Sequence, residues 1–290
     1  MILPNQLDPM PDSPGTMTDD YFSKLRKFIY EHTGIFFADS KKYLLESRIS
    51  RRLAALHIPD VAEYLSYLSN GGVSNELTHL VNSITINETF FFRNEPQLKA
   101  LETSIIPAII NKRADGTQIK LKIWSAACST GEEPYTIAMI IHDKLMQRHP
   151  SVNFEIVGTD INTAVIEAAR RGIYRDYSVK NVPIYYQQKY FSKDGERYIL
   201  SDDILEMVQF KSLNLFDRQA MKGMTGFDII IAANVLIYFD INSKQTVVTS
   251  FYDSLNSGGF LLLGFSETLY GISQAFKPVH FDKTIAYGKE

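Results

Sequence analysis

From residue 121 onward short apolar runs alternate with longer helical patterns, and this alternation restricts the chain more than any other feature. The spacing predicts strands at 121–125, 154–159, 207–213, 227–233 and 260–266, with helices at about 133–147, 163–171 and 242–256. Strands that alternate with helices build a mainly parallel sheet covered on both faces, an α/β fold. The segment 276–287 reads as two more strands joined by a tight Asp282-Lys283 turn, which sets an antiparallel strand into the sheet. Dinucleotide dehydrogenases do not normally end in this way. Between residues 176 and 207, Asp194-Gly195 separates Tyr190-Phe191 from Tyr198-Ile199-Leu200, the pattern of a small inserted β-hairpin subdomain.

Upstream the period is helical. Thr18 caps a helix with the stripe Tyr21, Phe22, Leu25, Phe28 and Ile29, ended by Gly34. A second helix at about 40–56 carries Leu45, Ile49, Leu53 and Leu56; Asp60 starts a third and Ser74 a fourth. These make an all-α domain over residues 18–86, and residues 87–290 form the α/β domain, entered through a linking helix (Leu98, Leu101, Ile105, Ile109). Residues 1–17, with Pro4, Pro9, Pro11 and Pro14, read as a flexible tail.

Composition removes several classes of function. Lys plus Arg number 30 against 33 for Asp plus Glu, a net charge of −3 that argues against binding nucleic acid through bulk charge. The single Cys128 excludes an internal disulfide or a cysteine-built zinc site and fits a reducing cytoplasm, and the six histidines form no HxxxH pair, so no metal is expected. No apolar run has the length to cross a bilayer, and the first residues lack the basic start of a signal peptide.

In an open α/β sheet the ligand lies beyond the carboxyl ends of the strands, near the first crossover. That turn reads Ser125-Ala126-Ala127-Cys128-Ser129-Thr130-Gly131-Glu132-Glu133-Pro134-Tyr135, with one glycine, so it is neither GxGxxG nor a P-loop. Glu132 and Glu133 at the helix start either complement the helix dipole or receive a cation; in both cases they repel a pyrophosphate. S-Adenosylmethionine, with an ammonium and a sulfonium and no phosphate, fits such a turn. Asp160 ends the second strand, where a carboxylate accepts ribose hydroxyls or caps the next helix; the ribose is favoured, because Asn162 or Thr163 can cap instead. Asn214 with Leu215 ends the next strand, suited to an adenine edge or to a turn. Asn234 ends the central strand and Tyr238 lies one helical turn beyond.

Several strings together resemble the CheR family of chemotaxis receptor methyltransferases: Asn87-Glu88-Thr89-Phe90-Phe91-Phe92-Arg93, Trp124 to Tyr135, Gly158-Thr159-Asp160, Arg171-Gly172-Ile173-Tyr174-Arg175, Asn214-Leu215 and Asn234-Val235-Leu236-Ile237-Tyr238-Phe239-Asp240. The resemblance covers residues 18–288. It implies a class I, Rossmann-like S-adenosylmethionine-dependent methyltransferase, a group whose sheet does end in an antiparallel hairpin. It further implies a monomeric cytoplasmic enzyme that esterifies glutamate side chains on the cytoplasmic helices of chemoreceptors, leaving S-adenosylhomocysteine. Carried over by motif, the cofactor contacts are Asn87, Thr89, Arg93, Glu132, Asp160, Asn214, Leu215 and Asn234, with Arg93 and Tyr238 beside the methyl group or the incoming carboxylate. Many members have Arg where this chain has Ala233; a backbone contact survives there, a guanidinium role does not.

On the second helix Lys41, Arg48, Arg51 and Arg52 form a basic face. It is either a solvated surface or, as the family resemblance favours, a dock for glutamate-rich receptor helices. A nucleic-acid methyltransferase would use the same face, but the chain lacks an Asn/Asp-Pro-Pro-Tyr-like motif; a non-catalytic signalling module is disfavoured by intact Glu132, Asp160 and Tyr238. Some relatives hold a receptor's tail peptide on a glycine-bearing loop of the inserted subdomain. Here that hairpin is short and carries Gly195 alone, so recognition without a tether is expected.

Overall fold

The structure, a computed structural model, describes residues 17–70, 73–113 and 118–290. They divide into two compact units, one of the described residues up to Glu31 with Phe36–Thr85, the other of His32–Ile35 with Ile86–Glu290.

The first unit is helical: α1 (Asp19–Thr33), α2 (Lys42–Leu56), α3 (Val61–Ser69) and α4 (Val73–Ile84). The Thr18 hydroxyl accepts from the Tyr21 N–H, and Asp60 caps α3 by accepting from Glu63 N–H at 2.9 Å. Leu25, Ile29, Leu45, Ile49, Leu68 and Leu80 are buried, as the helical stripes require. Met17 was assigned from sequence to the tail. It is instead only 1% exposed, and its N–H donates to Glu46. The rest of the expected tail lies outside the described residues.

The second unit opens with α5 (Glu95–Ala100) and α6 (Ile106–Lys112), one helix in which the π-helical turn Leu101–Ile105 accommodates Pro107. Then follow β1 (Ile119–Ala126), α7 (Glu132–Ile140), β2 (Val152–Asp160) and α8 (Thr163–Arg171). The insertion runs through β3 (Ile173–Tyr174), α9 (Asp176–Val179), α10 (Ile184–Tyr190), β4 (Phe191–Asp194) and β5 (Arg197–Leu200). The chain continues as α11 (Asp202–Leu205), β6 (Val208–Ser212), α12 (Arg218–Met221), β7 (Phe227–Ala232), α13 (Ile241–Ser254), β8 (Leu255–Leu263), β9 (Lys277–Phe281) and β10 (Thr284–Gly288).

Seven strands form one sheet in the order β6-β2-β1-β7-β8-β10-β9. The first five are parallel and β10 and β9 antiparallel, the terminal hairpin expected from sequence. Alternate residues of the central strands feed two cores. Ile123, Ile229 and Ile231 join one, while Trp124 and Ile230 join the other. Trp124 is fully buried; its indole N–H donates to Thr159 Oγ1 at 2.9 Å and its rings lie 5.3 and 5.4 Å from those of Phe227 and Phe251.

The inserted subdomain is more than a hairpin. β3, β5 and β4 form an antiparallel three-stranded sheet, and α9 and α10, unforeseen in the sequence, lead into it. The turn between β4 and β5 is Gly195-Glu196, with Gly195 at φ +58°. The strand expected at 260–266 starts earlier and ends at Leu263, so the sequence after it is a loop at the carboxyl edge of the sheet.

Candidate active site

The crossing from β1 to α7 is built against the usual backbone preference. Ala127, Ser129 and Gly131 all have positive φ, and a Cβ on Gly131 would meet that of Ala169 at 2.9 Å, so only glycine fits there. Ala127 and Ser129 tolerate the left-handed region because the loop is tied from outside. Cys128 N–H donates to Thr159 O, and Ser129 N–H donates to Asp160 Oδ2, both at 2.9 Å. Asp160 Oδ1 accepts from Asn162 N–H, and burial raises its carboxyl above the usual range. Asn162 caps α8, accepting from Ala164 and Val165, so Asp160 is not the helix cap. Asp160 instead fastens the first crossover to the end of β2.

The two glutamates point to different places. Glu132 is 1% exposed; its carboxylate accepts from Thr130 Oγ1 at 2.6 Å and from the Ser178 hydroxyl, and burial raises its pKa. Glu133, half-buried, accepts from Ser125 Oγ at 2.7 Å at the end of β1. Burial pushes Glu133 up to about 7; Ser125 and the Arg93 guanidinium work against that shift and the Glu267 carboxylate adds to it. Glu132 is thus turned toward Thr130 and Ser178, and Glu133 toward the end of β1. The left-handed Gly131 sets the rotation of the helix, and adjacent helical residues point about 100° apart.

Arg93 is exposed, donates to Glu88 O at 3.0 Å, and lies over the Phe90 ring at 5.4 Å. Its charge also acts on Tyr238, in the turn Leu236–Tyr238 after β7; burial raises that phenol and Arg93 opposes the rise, leaving it protonated at neutral pH. Asn234 stands at φ +60° and its N–H donates to Glu267 Oε2 at 2.7 Å. Ala233 is half-buried. The carbonyl of Asn87 accepts from Ser129 Oγ at 3.0 Å, bringing the segment with Thr89 to the first crossover. Arg93, Glu133, Tyr238 and Asn234 thus share one end of the central strands with Asn87.

Other expected residues are otherwise engaged. Asn214 donates to His32 O at 2.7 Å and accepts from Phe216 N–H, a turn role that uses one of its two N–H donors and one lone pair of its carbonyl oxygen; Leu215 is buried in the second core. Lys41, Arg48, Arg51 and Arg52 all lie in the helical unit. Arg52 forms a bidentate pair with Glu76 at 2.9 and 2.6 Å, and Glu76, 2% exposed, also accepts from Tyr64 OH. Arg52 thus neutralises a buried carboxylate. Glu267 and Ser125 went unrecognised in the sequence; the spacings Ser125 to Glu133 and Gly264 to Glu267, each at a strand's carboxyl end, carried the signal.

Residues 20–85 match the model of the CheR methyltransferase all-alpha domain, and residues 87–285 that of the CheR methyltransferase SAM binding domain. The chain belongs to the CheR methyltransferase family. It is 38% identical to "Chemotaxis protein methyltransferase 2" of Vibrio cholerae over 278 residues, covering 94% of each chain. Identity to the chemotaxis protein methyltransferase of Borreliella burgdorferi is 35%, over 88% of this chain and 90% of that one. With the Escherichia coli chemotaxis protein methyltransferase it is 34%, over 90% and 88%. The cofactor of this CheR-family domain is S-adenosylmethionine. The residues fit it: Glu133 offers a carboxyl that burial pushes up to about 7, and among the described residues the buried Glu267 Oε1 has no hydrogen-bond partner, so acceptor capacity remains for a cationic ligand.

Proposed function

We propose that this methyltransferase esterifies glutamate side chains on the cytoplasmic helices of chemoreceptors, with Arg93 and Tyr238 acting on the incoming carboxylate. The observation that carries this reading is the pairing of an exposed guanidinium with a phenol kept in its O–H form at the end of the central strand. A fixed cation and a hydrogen-bond donor suit an acceptor that arrives as an anion. A glutamate carboxylate, with a reference pKa of ~4.3, is already ionised at neutral pH, so no residue has to remove a proton from it.

Bound S-adenosylmethionine supplies an electrophilic methyl group on a sulfonium. Arg93 draws the carboxylate in and orients it, and Tyr238 donates to one of its oxygens, leaving the other aimed at the methyl carbon. Glu133 would hold the cofactor's ammonium and Asp160 its ribose. Thr89 and Asn234 complete the cofactor contacts, with the backbone at Ala233 and Leu215. The exposed Lys41 and Arg51 and the half-buried Arg48 form the receptor dock on the helical unit. Receptor recognition does not depend on a tail peptide: the two-residue turn Gly195-Glu196 offers no extended loop to hold one.

The test is transfer of labelled methyl to a receptor fragment, to RNA, or to neither. Label in the receptor fragment, released as methanol by mild base, supports the ester; base-stable label, or label in RNA, refutes it. Removing the receptor's last residues while keeping its helices should leave the rate unchanged, and a large loss would refute tether independence.

A further inference from the structure

Beyond the residues assigned so far, the loop after β8 carries a carboxylate that joins two strand ends at the methyl-transfer site. Gly264-Phe265-Ser266-Glu267 turns back on itself through a Glu267 N–H to Gly264 O hydrogen bond of 2.9 Å. The side chain then returns to the backbone. Glu267 Oε2 accepts from Gly264 N–H at 2.8 Å and from Asn234 N–H at 2.7 Å, bridging the ends of β8 and β7. From the other side the buried Gln97 donates to Leu263 O at 2.9 Å and fixes the end of β8.

This arrangement leaves no room for variation. A Cβ on Gly264 would come within 2.7 Å of Glu267 Oε2 and 2.8 Å of Asn234 N. Asn234 sits in the left-handed region, which asparagine tolerates better than other residues with a Cβ and which its surroundings can lock in place. Two charge-assisted hydrogen bonds to a single oxygen supply that hold. The direction of the chain leaving Asn234 decides where the Leu236–Tyr238 turn begins, and so where the Tyr238 hydroxyl stands.

We propose that Glu267 is a positioning residue of methyl transfer, fixing Asn234 in its left-handed conformation and thereby aligning Asn234 with the cofactor and Tyr238 with the acceptor. The proposal rests on the reading of Asn234 and Tyr238 given above. Its test is a set of calorimetric titrations with S-adenosylhomocysteine, together with initial rates on a receptor fragment, for wild type, Glu267→Ala, Glu267→Gln, Gly264→Ala and the double variant Glu267→Ala/Gly264→Ala.

Glu267→Ala should weaken S-adenosylhomocysteine about ten- to a hundredfold, as expected for losing charge-assisted bonds, and lower kcat while leaving KM for the receptor unchanged. Glu267→Gln, which keeps an acceptor oxygen on the same stem, should recover most of the affinity. Gly264→Ala should reproduce the loss, since its Cβ displaces that oxygen and presses on Asn234 N, and the double variant should fall short of the sum of the two single losses, because both act on one linkage. Wild-type affinity in Glu267→Ala overturns the proposal, as does additivity in the double variant. Should Glu267→Ala fail to fold, Glu267→Gln and Gly264→Ala still decide: wild-type affinity in Gly264→Ala, or complete loss in Glu267→Gln, refutes it. Failure of the wild type to bind S-adenosylhomocysteine would instead refute the cofactor site, and this proposal with it.

Discussion

Cofactor affinity should depend on pH through Glu133. Its carboxyl is pushed up to about 7 by burial, with Glu267 reinforcing the shift and Ser125 and Arg93 opposing it. An ammonium selects the ionised form, so the apparent Kd carries a factor of one plus the ratio of protonated to ionised Glu133. With half-ionisation near pH 7, that factor is close to one at pH 8, about two at pH 7 and about eleven at pH 6. The tenfold weakening between pH 8 and 6 corresponds to about 1.4 kcal/mol. At pH 7 roughly half a proton should leave the protein for each ligand bound, by the same arithmetic. Titrating S-adenosylhomocysteine in two buffers of different ionisation enthalpy reads that proton directly. Burial raises Glu132 and Asp160 as well, so the control is Glu133→Gln, which should lose the dependence along with affinity at pH 8. The free protein responds with the opposite sign. The folded state holds this proton above the ordinary carboxyl value of about 4.5, so Glu133's contribution to stability falls as the pH rises from about 4.5 to 7. A Kd constant from pH 6 to 8, with binding heats independent of buffer, would refute the argument.

Three further outcomes follow from the geometry. Arg52→Ala leaves Glu76 buried without its cation and should cost about 3–5 kcal/mol in urea denaturation; an unchanged midpoint would return Arg52 to the surface set. Reversing Arg48 and Arg51 to Glu should raise KM for the receptor in a salt-dependent manner and leave S-adenosylhomocysteine affinity intact, whereas unaltered kinetics would make that face simply solvated. Asp160→Ala removes both the ribose acceptor and the fastening of Ser129, so affinity should fall at least about tenfold; wild-type affinity by calorimetry would take Asp160 out of the site.

The sheet was legible because its strands bury both faces. Runs such as Phe227–Ala232, buried at every position, announce a central strand without help from distant residues. The short α9 and the two-residue β3 were not legible, since pieces of that length owe their form to what they pack on rather than to their own periodicity. In the site, Asp160 stood out because a carboxylate at a strand's end has a restricted set of roles, and the structure removes helix capping from them by giving it to Asn162. Which of Glu132 and Glu133 turns toward Ser125 is a matter of helix phase, which no pattern of residue types encodes. Arg52 looked like its neighbours on α2 until Glu76, 24 residues away, came beneath it. Glu267 was hidden for the same reason: its partner Asn234 lies 33 residues upstream, and only the pairing of β7 with β8 brings the two together.

The antiparallel hairpin has a consequence for how the protein is made. β8, whose end carries Gly264, is an interior strand because β10 pairs with it through Ala286, Tyr287 and Gly288, and the exchange between Lys289 and Gly258-Gly259 extends that ladder. All of these partners are translated after the residues they secure. Until β10 is in place, β8 stands as an open edge with its outward N–H and C=O groups unpaired. The loop that reaches Asn234 hangs from that edge. The end of the sheet that carries Asn234 and Glu267 is thus completed only by the strand made last.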